Sequence, residues 1–372
     1  MKRLSLLDGY RDAGLAQRLE SKIKRLGEEI GRDLLIMHVC GSHEWTITHH
    51  GVRSLLPRSV EVRAGPGCPV CVTPAADIDA AVELALDGKT VLTYGDMSRA
   101  RGSKQSLTEA KTLGADVRIA YSVHDAVKIA KSRPEREFVF FAVGFETTAP
   151  ATAYEILQEP PPNLRFLTCY RYVPAAVEAV SRSPDLRVDG FINAGHASTI
   201  TGMKAYKTCF DLCRKPMVFS GFEPLDVLIS VAMILTQIRN DRPEMQNEYT
   251  RSVTWEGNLK AQKTMREVFD LRDGYWRGVA VIPNSGLDLK TKFSHLDARE
   301  HYKLTQEQQN ADFVKDARCA DVIIGKIDPP ECPFYMKECM PASPLGPTMV
   351  SAEGTCKIWA DHRIISAMSC RT

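Results

Sequence analysis

The sequence lacks several features that would place it in common classes of protein. Its longest apolar run, residues 227–238, is too short to cross a bilayer and predicts a buried helix. The opening stretch MKRLSLLDGYRDAG has neither the apolar segment nor the small-residue cleavage site of a secretory signal. The formal net charge is only +2, without a basic arm or stripe. We therefore expect a cytoplasmic protein whose partners are neither nucleic acids nor membranes.

Nucleotide-binding fingerprints and internal repeats are also missing. The chain has no loop of the pattern GxxxxGKS or GxxxxGKT, since Gly88-Lys89-Thr90 lacks the first glycine, and it has no clear GxGxxG stretch, which argues against a zinc-stabilised nucleotide-binding protein. No unit of fixed length recurs, so a solenoid is not expected. What the chain does have is eleven cysteines in 372 residues. In a cytoplasmic protein they indicate metal binding or thiol chemistry rather than a disulfide framework.

Short apolar segments that end in glycine-bearing loops alternate with segments of helical period through the first two thirds of the chain. This alternation predicts βαβ units and parallel sheets, whose ligands bind at the carboxyl ends of the strands. The fold class that we expect is α/β, with two similar parallel-sheet domains that face one another across a cleft. Their predicted bounds are residues 1–132 and 133–245, and the first bound leaves open that the N-terminal helix packs elsewhere.

The last third of the chain carries four cysteines in a Pro- and Gly-rich stretch with the spacing C-x12-C-x6-C-x16-C: Cys319, Cys332, Cys339 and Cys356. Irregular loops can aim several sulfurs at one point, as an iron–sulfur cube requires. Structural zinc usually draws on close C-x2–4-C pairs, which this stretch lacks. The spacing favours a [4Fe–4S] cluster over zinc, with unligated core thiols as a third reading. Residues 246–372 form the predicted C-terminal iron–sulfur domain of helices and irregular loops, and Cys370 is expected to be free.

A thiol, two imidazoles and a carboxylate stand close together in HVCGSHEW, namely Cys40 with His38, His43 and Glu44. A Cys–His pair suits nucleophilic catalysis. A soft thiolate with an imidazole nearby also suits Fe(II). A buried cysteine at a strand end, followed by a helix N-cap, is the structural alternative, and the three readings stay open at this point.

The loop GPGCPVC holds Cys68 and Cys71 at C-x2-C spacing just after a predicted strand. Such a pair can form a redox-active disulfide. It can also be half of a zinc site that Cys40 and His43 complete, or an inert packed pair. The prolines and glycines of the loop are expected to let both sulfurs point outward.

Further polar residues occupy strand ends of the second block: Glu146 in GFETT, His196 in NAGH and Glu223 in GFEP. The alternative explanation for Glu146 and Glu223 is structural, because the helix dipole favours a carboxylate in the first turn of a helix. Taken together and facing the cysteine loops, these residues predict a polar cleft. The remaining internal cysteines are predicted to be packing residues: Cys169, Cys209 and Cys213.

The ordered set CGSHE, GPGCPVC, TYGDM, GFETT, INAGH, GFEP, C-x12-C-x6-C and GPTMVSAEGTC resembles the HypD family of hydrogenase maturation factors, from about residue 30 to about residue 360. The resemblance implies a scaffold that builds the Fe(CN)2CO group of [NiFe] hydrogenases, with internal redox chemistry rather than conventional turnover. It implies two partners, a small HypC-type chaperone and a HypE-type cyanide donor.

The resemblance also implies roles for the cysteines. Cys40 would hold iron together with a cysteine of the chaperone, while Cys68 and Cys71 would form a redox pair near the iron. The four C-terminal cysteines would bind the [4Fe–4S] cluster that supplies electrons to the pair. The candidate catalytic residues are Cys40, His43, Glu44, Cys68, Cys71, Glu146 and His196, and the candidate iron ligands are Cys40, Cys68 and Cys71.

Two departures from the family pattern stand out. The chain has GPTMVS where the family usually has GPCMVS, so Thr348 cannot act as a thiolate ligand. The loop after GDM reads SRARGS, at residues 98–103, where MRVPGS is common. The main alternative function is a free-standing thiol–disulfide oxidoreductase that carries an iron–sulfur cluster.

Overall fold

The strands of the protein form two sheets, as seen in a computed structural model that describes residues 8–183, 187–304 and 314–363. The strands are β1 (Leu34–His38), β2 (Val60–Ala64), β3 (Thr90–Thr93), β4 (Val117–Ile119), β5 (Phe138–Gly144), β6 (Leu164–Arg171), β7 (Gly190–Ala194), β8 (Met217–Ser220), β9 (Met245–Asn247), β10 (Phe269–Trp276) and β11 (Ala280–Leu289).

Helices connect most of these strands. They are α1 (Ala13–Ile30), α2 (Gly41–His49), α3 (Pro69–Val72), α4 (Ala75–Leu86), α5 (Leu107–Thr112), α6 (Val123–Lys131), α7 (Ala149–Leu157), α8 (Val173–Ser181), α9 (Gly195–Thr201), α10 (Lys207–Cys213), α11 (Pro224–Arg239), α12 (Leu259–Val268), α13 (Ala298–Tyr302), α14 (Cys319–Ile323) and α15 (Thr355–Asp361).

The first sheet has the order β2-β1-β7-β8-β9 and is parallel throughout. Ile36 of β1 lies opposite Val62 on one side and Gly190 on the other. Because successive side chains of a strand point to opposite faces, Ile36 packs with α1 and α11, whereas Met37 joins a core that both sheets share. The sheet is therefore covered on both faces, as parallel sheets usually are.

The second sheet has the order β10-β11-β6-β5-β3-β4. Its strands β6, β5, β3 and β4 are parallel, and the antiparallel hairpin β10–β11 joins along β6. Phe141 of β5 lies in the core shared by the sheets, while Phe140 packs on the other face against residues of α6, α7 and α12. The predicted α/β class with parallel sheets is confirmed at this level.

The membership of the sheets does not follow the predicted bounds of the domains. β1 and β2 pair with strands from the predicted second block, while β3 and β4 pair with β5 and β6. The reason is that α3 and α4 lead the chain from the first sheet to the second, and α8 leads it back. The hairpin β10–β11 lies within residues 246–372 but completes the second sheet, so this region is more than helices and irregular loops.

The apolar run 227–238 lies within α11 and is largely buried, as predicted. In the described ranges, no helix is both long enough and apolar enough to cross a membrane. Cys370 lies outside the described residues.

Candidate functional site

Cys40 and the cysteine loop GPGCPVC meet at the carboxyl edge of the first sheet. Cys40 follows β1, and the dithiol loop (residues 65–71) follows the neighbouring strand β2. The amide of Gly41 donates a hydrogen bond to the carbonyl of Gly67 at 3.1 Å. A Cβ on Gly67 would lie 2.2 Å from the amide nitrogen of Cys40, so only glycine permits this approach of the two backbones.

Cys40 is only 3% exposed. Its Sγ lies 3.9 Å from Nδ1 of His196, and Phe222 packs beside it. Burial, followed by the negative charge of Glu353, raises the pKa of the thiol to about 12. The free thiol is therefore a weak nucleophile at neutral pH, whereas a bound cation would favour its thiolate.

The imidazoles of His43 and His196 both contact the ring of Phe222, at centroid distances of 4.7 and 5.1 Å. Nε2 of His43 donates to the carbonyl of Gly221 at 2.8 Å, and its Nδ1 has no hydrogen-bond partner among the described residues. Burial, with the charge of His38 second, lowers the pKa of His43 to about 3. The ring is therefore neutral, with one lone pair free for a ligand. Burial also lowers the pKa of His196.

Glu44 is fully buried, and its carboxylate is occupied by neighbours. It accepts hydrogen bonds from Arg53, Thr48 and Nε1 of Trp359, and lies 2.8 Å from Nε2 of His38. Burial alone would raise the pKa of Glu44, but the charge of Arg53 and the contact with His38 lower it well below its usual range. The geometry favours a structural role for Glu44, since it ties α2 to α15.

Glu146 presents an incompletely paired carboxyl group. One oxygen accepts from the amide of Val173 at 2.7 Å, while the other has no partner in the described part of the chain. Burial raises the pKa of Glu146 to about 7, a value suited to proton transfer near neutral pH. Both polar atoms of the Asn193 side chain are also buried without a partner in the described residues. A polar ligand would satisfy such atoms, which otherwise destabilise the fold.

Cys68 and Cys71 form a disulfide, with their Cα atoms 5.2 Å apart. Cys68 is the N-cap of α3 and Pro69 its first residue, which suits the fixed backbone angle of proline. The outward orientation expected from the loop composition is wrong, because the two residues are only 7% and 2% exposed. A turn at Pro347 covers them, with its carbonyl oxygen 3.8 Å from Sγ of Cys71.

The same turn reaches the C-terminal cysteines, and we call residues 346–348 the bridging turn. A Cβ on Gly346 would lie 2.3 Å from Sγ of Cys319. The hydroxyl of Thr348 donates to Sγ of Cys356 at 3.2 Å. Three consecutive residues therefore contact two of the four C-terminal sulfurs and, through Pro347, the disulfide.

The other two C-terminal cysteines join this region. Sγ of Cys339 accepts a hydrogen bond from the amide of Leu345 at 3.4 Å. Cys339 and Cys356 belong to an apolar cluster that contains Trp359, and Cys332 packs against this cluster. Burial, then the charges of Cys339 and Cys332, raises the pKa of Cys319 to about 12. The same causes, with Cys319 adding its charge, raise the pKa of Cys356 well above its usual value.

Thiolates at these four positions would thus repel one another, and a cationic centre among them would offset that repulsion. As the side chains stand, no three His, Cys, Asp or Glu residues of the described ranges form a site for a metal ion. The C-terminal region gathers four thiols without a closed cage of ligands.

Sequence reasoning missed two residues of this site. Glu353 is half-buried, its charge acts on both Cys40 and His196, and its backbone packs against Gly41. Phe222 links the rings of His43 and His196. Both residues lie in motifs of the sequence, GPTMVSAEGTC and GFEP, but a carboxylate or a ring in a loop does not reveal its neighbours in space.

Glu223 and the other cysteines have simpler surroundings. Glu223 is the N-cap of α11, which is the structural role that the sequence allowed for it, and its carboxylate pairs with Arg11 at 2.7 Å. Cys169 and Cys209 lie in the core shared by both sheets, and Cys213 packs against it.

Comparison with known proteins gives a consistent result. A family profile described as "HypD: Hydrogenase formation hypA family" matches residues 14–363. A relative from Methanocaldococcus jannaschii, named as a hydrogenase expression/formation protein, is 43% identical over 95% of this chain and 99% of its own length. Hydrogenase maturation factors HypD from Cupriavidus necator and Escherichia coli are each 38% identical, over 95% and 94% of this chain and 96% and 94% of their own lengths. On this evidence of sequence and of coverage, the chain belongs to the HypD family of hydrogenase maturation factors.

Proposed function

We propose that this chain is the scaffold and redox component on which the Fe(CN)2CO centre of [NiFe] hydrogenases is assembled. Iron is the cargo, held by Cys40 together with a cysteine of a small HypC-type chaperone, and cyanide comes from a HypE-type donor. Membership of the family supports a role in hydrogenase maturation. The particular residues and partners are the content of the proposal.

The observation that carries the proposal is a continuous series of contacts between the three cysteine groups. Gly67, next to Cys68, touches the backbone of Cys40. The bridging turn contacts Cys71 on one side and Cys356 on the other. An iron at Cys40, the dithiol and a cluster on the C-terminal cysteines would therefore be neighbours, as electron transfer between them requires.

Cys40 has the surroundings of a thiol that ionises only when it binds a cation. Fe(II) that carries cyanide and CO is electron-rich, and thiolate is a suitable ligand for it. Because metal ligands must be deprotonated, iron binding releases the proton of the thiol. Nδ1 of His196, 3.9 Å from the sulfur, is positioned to take this proton. Burial lowers the pKa of His196, while the charges of Glu353 and then Glu146 oppose that shift and would stabilise the resulting imidazolium.

The dithiol supplies the electrons for cyanide release. Cleavage of the S–C bond of a thiocyanate consumes two electrons and yields a thiolate and cyanide. Cys68 and Cys71 give up two electrons and two protons as their S–S bond forms. The disulfide in the structure corresponds to the spent form of the pair.

Four thiolates, from Cys319, Cys332, Cys339 and Cys356, would hold a [4Fe–4S] cluster. They gather around the bridging turn beside an apolar cluster that contains Trp359, and their mutual repulsion suits a cationic centre. A bound cluster would supply low-potential electrons, and the disulfide would take up two electrons and two protons on return to the dithiol.

An anaerobic preparation of the chain with its small chaperone tests the proposal. We expect a brown protein with about four irons per chain in the cluster and additional infrared bands from cyanide and CO on iron. Cys40→Ala should keep the colour and lose the bands, whereas the control Cys209→Ala should keep both. Bands that persist in Cys40→Ala would refute the role of Cys40, and a colourless protein with stoichiometric zinc would refute the cluster.

The disulfide itself favours a second candidate, a free-standing thiol–disulfide oxidoreductase. The burial of both sulfurs hinders a protein disulfide and a thiocyanate on a partner protein alike, so burial alone does not separate the two functions. Reduction of insulin by the reduced chain separates the two functions. We expect a rate no higher than that of the Cys68→Ser variant.

A further inference from the structure

Two imidazoles outside the site described above meet where α2 and α15 end. His49 is the last residue of α2, and His362 directly follows α15. Nδ1 of His49 lies 3.0 Å from Nε2 of His362. His49 is exposed and His362 half-buried, so solvent reaches the pair.

The backbone selects the tautomer of the neutral His362 ring. Its Nδ1 lies 2.8 Å from the carbonyl oxygen of Ile358, which can only accept, so Nδ1 carries the hydrogen. In the neutral ring, Nε2 then directs a lone pair toward His49. A ring N–H donated to a backbone carbonyl is the usual support of a metal-ligating histidine. Trp45 stacks on His49 with the ring planes 12° apart and so holds its orientation.

The electrostatic setting also favours a cation. The carbonyl ends of two helices meet here, and each carries the negative end of its helix dipole. Without an ion, Nδ1 of His49 donates the hydrogen bond to Nε2 of His362. An ion at about 2.0–2.1 Å from both nitrogens, with an angle near 90° between the two bonds, would bind the other tautomer of His49, whose hydrogen is on Nε2. Water would fill the other coordination positions, since no third His, Cys, Asp or Glu of the described ranges completes the group.

We propose that His49 and His362 form an exchangeable site for a first-row divalent cation such as Fe(II), Ni(II) or Zn(II), which are ions that imidazole suits. The site is separate from Cys40, because α2 has nine residues and spans about 13 Å between them. A bound ion would fasten α2, which begins next to Cys40, to α15, which carries Cys356. This inference does not depend on the proposed function.

Zinc titration of the full chain under anaerobic conditions tests the site, with nitrogen-15 NMR of labelled histidines as the readout. We expect the imidazole signals of His49 and His362 to shift together as Zn(II) binds. His49→Gln and His362→Gln should each weaken this binding by about tenfold or more. His50→Gln is the matched control, because its ring lies next to His49 but outside the pair.

Zinc that binds to thiols elsewhere should bind equally to the unsubstituted chain, the two site variants and the control, and this equality distinguishes it from zinc at the histidine pair. The same zinc affinity in the two site variants as in the control would overturn the proposal. So would a titration of the unsubstituted chain in which neither imidazole signal moves, since the pair would then be only a hydrogen-bonded pair. This NMR titration of the unsubstituted chain does not depend on whether the variants fold.

Discussion

The two sulfur regions of the molecule are built in different ways. The loops of Cys40 and of the dithiol are held by adjacent parallel strands and by a glycine contact between their backbones. The four C-terminal cysteines lie on short helices and turns, where they gather without a closed metal-ion site in the described residues. The first region is thus ordered by contacts within the polypeptide, whereas the second would be completed by the proposed cluster.

The largest effect should follow removal of a C-terminal thiol. Cys339→Ser should abolish cluster retention, seen as loss of iron and of visible absorbance, while the far-ultraviolet circular dichroism of the two sheets remains. Cys213→Ser is the control and should keep its iron, because that residue packs against the core. If Cys339→Ser kept its full iron content, the C-terminal region would not depend on this ligand.

A large effect is also expected at the glycine contact of the first region. Gly67→Ala forces a Cβ to 2.2 Å from the Cys40 amide and should destabilise the fold by about 3 kcal/mol, measured by urea denaturation. Gly95→Ala is the control, since its Cβ would meet no atom closer than 3.8 Å. Equal stability of the two variants would mean that the loops are not held by this approach.

Glu146, which follows β5 of the second sheet, should make the stability of the protein depend on pH. Its pKa in the fold is about 7, raised from 4.5 by burial, so the protonated form is favoured by folding. Its contribution is fully present below the unfolded pKa and is lost as pH rises through 7, by at most about 3 kcal/mol. The difference in unfolding free energy between the wild type and Glu146→Gln should therefore grow less favourable to the wild type between pH 4.5 and 8. A difference that stays constant across this range would contradict the assignment.

The smallest effect should come from the hydroxyl of the bridging turn. Hydrogen bonds to cluster sulfurs raise the reduction potential, and Thr348 donates one to Cys356. Thr348→Val should keep the iron content but lower the ratio of reduced to oxidised cluster about two- to tenfold at a fixed potential. Thr348→Ser should restore the ratio, and Thr355→Val, next to Cys356 in sequence, should leave it unchanged.

Periodicity and loop composition were enough to predict the α/β class, the buried helix at residues 227–238 and the position of Cys40 at the end of a strand. They could not assign strands to sheets, because β1 pairs with β7 across more than 150 residues and local pattern carries no record of such partners. The burial of Cys68 and Cys71 and the approach of Glu353 to Cys40 depend on a turn far along the chain. Such contacts are properties of the fold and not of the motif.

The pairing of β1 with β7 also has a consequence for biosynthesis. While the ribosome is still making the middle of the chain, β1 and β2 can pair only with each other, because β7, β8 and β9 of their sheet have not yet been made. Gly221 and Phe222, which fix His43 beside Cys40, emerge later still, and Glu353 emerges last. The surroundings of Cys40 are therefore complete only when almost the whole chain has been translated, so the iron site proposed at Cys40 would not exist in a nascent chain.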